Sequence, residues 1–183
     1  MESSLTHMVR RDRMNSIVWA QDVLDASDWV LIDTETTGLS TRFARVVEVA
    51  IVSPAGVPII NTLIDPGVPI PNDASKIHGI TDAMVKSAPS IGDVWELISA
   101  SISGKKILCY NVDYDQKILE CEANRKGLPL IENQWECVML KYADFVGEPG
   151  FGRYRYQKLP SAGHRALDDC LATIDLIRLM ARA

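Results

Sequence analysis

The chain has 183 residues, 47% of them hydrophobic, and carries 19 Lys and Arg against 24 Asp and Glu, a formal net charge of -5. Length and apolar content allow one compact domain with a sizeable core, and the acidic balance excludes a protein that grips nucleic acid through an overall positive field. No window reaches the ~18 apolar residues of a membrane helix, MESSLTHMVRRDR at the start lacks a secretory apolar region, and the four cysteines form no Cys-x-x-Cys pair; the expectation is a soluble cytoplasmic protein with reduced thiols, no zinc site and no membrane association.

Residues 1–28 read as an N-terminal helical extension, with Ile17, Val18, Trp19, Val23 and Leu24 spaced for a short amphipathic helix over 14–25, packed outside the main core. From residue 29 to 183 the pattern is that of one domain. WVLID at 29–33, VVEVAIV at 46–52 and VPIINTLID at 57–65 predict three strands paired antiparallel, the last two joined through the turn-like SPAG at 53–56. A proline-rich loop leads to short helices near 72–78 and 81–87, then to a stronger helix over 93–103 stopped by Gly104. KKILCYN at 105–111 predicts a fourth strand and 113–126 a helix ended by Gly127, and WECVML near 135–140 reads as a last strand running into a helix. The loop 151–165 carries Arg153, Arg155, Lys158 and Arg165 with no acid, interleaved with Phe151, Tyr154 and Tyr156. A closing helix over 165–181 places Leu167, Cys170, Leu171, Ile174, Ile177 and Ala181 on one stripe. Strands first paired antiparallel and then interleaved with helices predict an α/β fold, a mixed sheet covered on both faces.

The chemistry starts at DTETTG, residues 33–38, directly behind the apolar run 29–32. Side chains at i and i+2 of a strand share a face, so Asp33 and Glu35 converge if the strand continues that far. Two adjacent carboxylates repel unless one takes a proton or a cation intervenes, and oxygen ligands without a histidine or cysteine cluster favour magnesium or manganese. A solvated strand end is the bland alternative for such a pair. Asp115 begins the helix after the fourth strand, where sites gather in α/β sheets, and Asp169 lies about one turn into the closing helix with Asp168 ~100° around it. His164 precedes Asp169 by five residues, too far around a continuous helix to share its face; Gly163 and the preceding LPSA allow it to lie on the loop entering the helix, and a histidine near a helix N-terminus is the bland alternative. Glu48, on the second strand, faces either the acids or the surface.

These residues resemble the DEDDh 3′-to-5′ exonucleases, the group containing the proofreading subunit of bacterial replicative DNA polymerase. DTETTGL at 33–39 is similar to the first motif of that family, NVDYD at 111–115 to the second, and HRALDD at 164–169 to the third; IHGIT at 77–81 is similar to a segment between the first two. The resemblance spans about 29–181 and implies a ribonuclease-H-like fold, five strands with the second antiparallel to the rest. It also implies two divalent cations, Mg2+ or Mn2+, held by Asp33, Glu35, Asp115 and Asp169, and His164 as general base. Its substrate is a nucleic acid with a free 3′ end, DNA favoured over the RNA of an exoribonuclease, cut to nucleoside 5′-monophosphates. Thr36, Thr37, Gly38 and Leu39 are implied at the terminal nucleotide, with His78 and Asn111 as further contacts; the basic loop, through Arg153, Arg155 and Lys158, is the candidate for holding the strand upstream. Two departures stand out: Cys109 and Tyr110 replace a more usual small residue and histidine, and His164 follows Leu159 by only five positions, which shortens the cleft wall. A haloacid-dehalogenase-like phosphatase gives no role to His164 and Asp169, and a binding module with a dead site leaves the intact acids unexplained. A stand-alone enzyme, a polymerase-associated one and self-association all remain open at this point.

Overall fold

β1 (Trp29–Thr36) organises the sheet, with β2 (Val46–Val52) and β3 (Pro58–Leu63) on one side and β4 (Lys106–Cys109) and β5 (Trp135–Cys137) on the other, in the order β3-β2-β1-β4-β5. The computed structural model describes residues 4–151, 153–160 and 163–183. β2 runs antiparallel to β1 and β3, while β4 runs parallel to β1 and β5 parallel to β4, so β2 alone opposes the other strands. This is the ribonuclease-H-like arrangement that the motifs imply. Every residue of β2 is buried, and its unbroken run of Val, Ala and Ile with a single Glu is what a strand covered on both faces requires.

Strand parity sorts the core into two layers. Val30 and Ile32 of β1 pack with α4 (Ile91–Ile102) and α5 (Val112–Lys126), through Ile91, Trp95, Ile98, Ile118, Leu119 and Ala123. Trp29 and Leu31 point the other way, into α7 (Ala166–Ala181) and its Cys170, Ile174, Ile177 and Met180. α5 closes where Gly127 takes φ 65, the left-handed conformation that releases the chain toward β5. α2 (Asn72–His78) and α3 (Asp82–Val85) form a smaller cluster around Ile80, and α6 (Val138–Val146) follows β5 without a break. Cys109, Cys137 and Cys170 are free and buried, in keeping with packed thiols.

The first helix departs from expectation. α1 (Ser4–Asp25) has 22 residues and is no appendage outside the core: Ile17, Ala20 and Val23 are buried in the same cluster as α7, and the helix packs along both α6 and α7. Its first half is polar even where it is buried, which hides it from a search for apolar periodicity. Asp12 is 3% exposed because Tyr154 and Arg153 come from the far loop to meet it. Among the described residues, no helix is long and apolar enough to cross a membrane.

Candidate active site

At the end of β1 the same parity that sorts the core sorts the polar groups. Asp33 and Glu35 continue the Leu31 face toward α7, where a carboxylate oxygen of each and one of Asp169 lie within 4.8 Å of one another. Thr34 points to the opposite face, where α5 begins, and its N–H and hydroxyl donate to Oδ1 of Asp115 at 3.1 and 2.8 Å. Asp115 therefore reaches the strand end from the far side of the sheet and is 4% exposed. The β1–β2 register slips between Glu35 and Thr36, which lets the chain leave the sheet directly after the acids.

So much negative charge in one buried place distorts every titration. Burial first, then Asp169, Glu48 and Asp115, pushes Glu35 up to about 8. Burial pushes Asp115 up to about 7 against the two Thr34 hydrogen bonds, and it raises Asp33 well above the carboxylate range with Asp115 and Glu35 adding to the effect. Asp169 is raised as well, chiefly by burial, although two backbone N–H groups oppose the shift. Such a cluster is incomplete without positive charge. Its donors are carboxylate oxygens, and the neighbouring thiols of Cys109 and Cys170 are held protonated by burial, so the set fits a divalent cation bound through oxygen.

The third motif is folded as the spacing requires. His164 stands on the loop before α7 with φ 53, and its N–H and that of Gly163 donate to Oδ1 of Asp169 at 3.2 and 2.9 Å. Asp168 is exposed, so Asp169 is the acid that turns inward. Glu48 is turned away from the surface and lies on the same face of the sheet as Glu35. It is 2% exposed, sits directly across the ladder from Glu35, and gives both oxygens to Arg165 and the N–H of Ala166.

Asp33, Glu35, Asp115, His164 and Asp169 all line one open cleft of about 680 Å³, together with Leu39, Asn111 and Lys158 and with Thr34, Tyr110, Tyr114 and Leu159. Leu39 is 90% exposed, an apolar side chain held out at the rim. Asn111 caps α5 through its carbonyl, which accepts from Tyr114 and Asp115 N–H. Thr36, Thr37, Gly38 and His78 are not among the residues that line this cleft. The Thr36 and Tyr114 hydroxyls both meet the Gly38 carbonyl, and Thr37 Oγ1 accepts from Arg45 N–H. His78 is buried; its Nδ1 accepts from Ile80 N–H, so Nε2 carries the proton and donates to the Thr36 carbonyl at 3.3 Å. Burial lowers its pKa, which keeps it neutral.

In the basic loop, Arg153 pairs with Asp12 and Asp144 and Arg155 with Glu148, and neither lines the cleft, whereas Lys158 does. Gly152, Ser161 and Ala162 of the predicted loop lie outside the described residues. Thr34 and Tyr114 were legible in principle: a threonine between two strand acids must face the opposite helix, and Tyr114 is the aromatic of NVDYD.

The RNase_T family model, an exonuclease, matches residues 30–177. The chain is 36% identical over 182 residues to the uncharacterized exonuclease CP81 of Escherichia phage 186, covering 90% of this chain and 91% of that one. It is 33% identical over 175 residues to the DNA polymerase III subunit epsilon of Treponema pallidum (strain Nichols), with 88% and 80% covered. Among solved structures it is similar to exonuclease X in complex with 5′-overhanging duplex DNA, with TM-score 0.58, 30% identity, and 85% of this chain and 92% of that chain covered.

Proposed function

The chain belongs to the RNase_T exonuclease family, and from that premise we propose that it removes nucleoside 5′-monophosphates from the 3′ end of DNA, using two divalent cations, magnesium or manganese, and His164 as general base. The observation that carries this reading is the convergence of Asp33, Glu35, Asp115, Asp169 and His164 in one open cleft. When bound, the cations would supply an activated water and charge stabilisation at phosphorus. Asp33, Glu35 and Asp169 would hold them from the α7 side and Asp115 from the α5 side, its carboxylate oriented by Thr34.

The chain's own groups supply the rest. His164, exposed at the mouth, takes the proton from the attacking water, a role worth ~10² to 10⁴ in rate. Leu39 packs against the terminal base, and Lys158 is the Lys or Arg that lines the cleft among the described residues, placed to meet a phosphate. DNA is favoured because the epsilon relative is a DNA polymerase subunit and exonuclease X was solved with duplex DNA. We also take residues 29–183 as the exonuclease domain and 1–28 as its extension. The test is a panel of 3′-labelled single- and double-stranded DNA and RNA digested with magnesium or manganese beside an Asp33→Asn control. The reading predicts stepwise shortening of DNA from the 3′ end that stops in the control; preferential digestion of RNA would make the chain an exoribonuclease of the same family.

A further inference from the structure

The ring of His164 is exposed and, among the described residues, makes no hydrogen bond. Its backbone sits at φ 53, in the left-handed region that few residues other than glycine occupy, although histidine is among those found there more often. We infer that Glu48 and Arg165 form a positioning clamp that imposes this conformation, holding His164 over the acids; this rests on the reading of His164 as the proton acceptor.

Four contacts converge on Glu48. Arg165 Nε lies 3.1 and 3.0 Å from its two oxygens, Arg165 Nη2 makes a third, shorter bond to Oε1, and Ala166 N–H donates to Oε2 at 3.0 Å. On the other side of His164, Gly163 and His164 N–H donate to Asp169. Three N–H groups of the segment 163–166 are thus taken by two carboxylates, with His164 between them. The anchor is rigid, because Glu48 lies in the middle of a fully buried strand. It is also in register, since Glu48 pairs directly with Glu35 across the β1–β2 ladder. The histidine's distance from the cation ligands is therefore set by one strand pair and one ion pair. The planar guanidinium can engage both carboxylate oxygens while its own backbone continues into Ala166, whereas a lysine makes a single-point contact. An ion pair serving stability alone has no need to adjoin His164 in sequence and Glu35 in the sheet.

The test is a cycle of Arg165→Gln and Arg165→Lys, each in the native and in the His164→Ala background, assayed on a 3′-labelled single-stranded DNA. In the native background Arg165→Gln should lower kcat by about 10- to 100-fold, the scale of a displaced general base, with KM changed less than about 2-fold, and Arg165→Lys should recover part of the loss. In the His164→Ala background the same changes should lower the rate by less than about 2-fold, because the group they position is gone. Equal losses in both backgrounds, or a loss confined to KM, would overturn the clamp. A second readout needs no cation and no turnover. Hydrogen exchange of the metal-free Arg165→Gln chain should quicken at the amides of 163–166 while Cys170 to Met180 stay protected; unchanged exchange at 163–166 would also overturn it. If the native chain shortens no nucleic acid, the functional reading fails by itself, and exchange still decides the clamp.

Discussion

At Asp33, burial and then the charges of Asp115, Glu35, Asp169 and Glu48 all work against the ionised carboxylate that cation binding requires. A neutral side chain of the same shape relieves that conflict, so Asp33→Asn should abolish nuclease activity yet stabilise the metal-free fold by about 1–2 kcal/mol at neutral pH, read by chemical denaturation in chelator. Loss of both activity and stability would show that the carboxylate is needed for folding. The same imbalance has a pH signature. Glu35 is raised from 4.5 to about 8 and Asp115 from 3.8 to about 7, mainly by burial, so the folded chain binds protons that the unfolded chain has lost. Their stabilising contribution is complete below about pH 4 and is lost as pH rises through 7 to 8. The melting temperature in chelator should fall between pH 5 and 9, and saturating magnesium should remove most of the fall; a flat profile in chelator would contradict the shifts. The acids and His164 of the candidate site stood out in the sequence by type and spacing, but helix phase says only that one of Asp168 and Asp169 can face the site, and the choice of Asp169 came from the resemblance. Their protonation was not legible, since it depends on burial, which spacing does not reveal.

Among the elements, the strands of the sheet stood out in the sequence because covered strands must be continuously apolar, as β2 is. The packing of α1 was not legible, because its buried Asp12 is partnered by Tyr154 and Arg153 of the basic loop, across more than a hundred residues. Asp12 accepts from the Tyr154 hydroxyl at 3.0 Å and pairs with Arg153 at 3.1 Å, while farther along the same loop Lys158 and Leu159 form part of the cleft wall. The charges of Arg153 and Arg155 were visible, but their partners were not. Asp12→Ala leaves a buried tyrosine hydroxyl without its acceptor and should destabilise the fold by about 1–3 kcal/mol. Because the loop leads into the cleft wall, the same change should raise KM for an oligonucleotide more than it lowers kcat. An unchanged KM would separate α1 from substrate binding.

For the molecule as a whole, a net charge of -5 and a cleft whose described lining holds Lys158 as its Lys or Arg mean that few phosphates are neutralised by side chains. The logarithm of kcat/KM at saturating magnesium should therefore fall with the logarithm of salt concentration at a slope of only about -0.7 to -1.4, that of one or two contacts on a single strand. A slope several times steeper would reveal a basic track elsewhere on the surface. The site also has an order of assembly written into the chain. Asp33 and Glu35 are supplied by β1 and Asp115 by α5, but Asp169 and His164 come with α7, which follows every other site element in sequence and docks over β1 and β2. A nascent chain emerging from the ribosome has all five strands of its sheet before it has His164 or Asp169. On the proposed reading the chain should therefore gain cutting competence only when the closing helix seats.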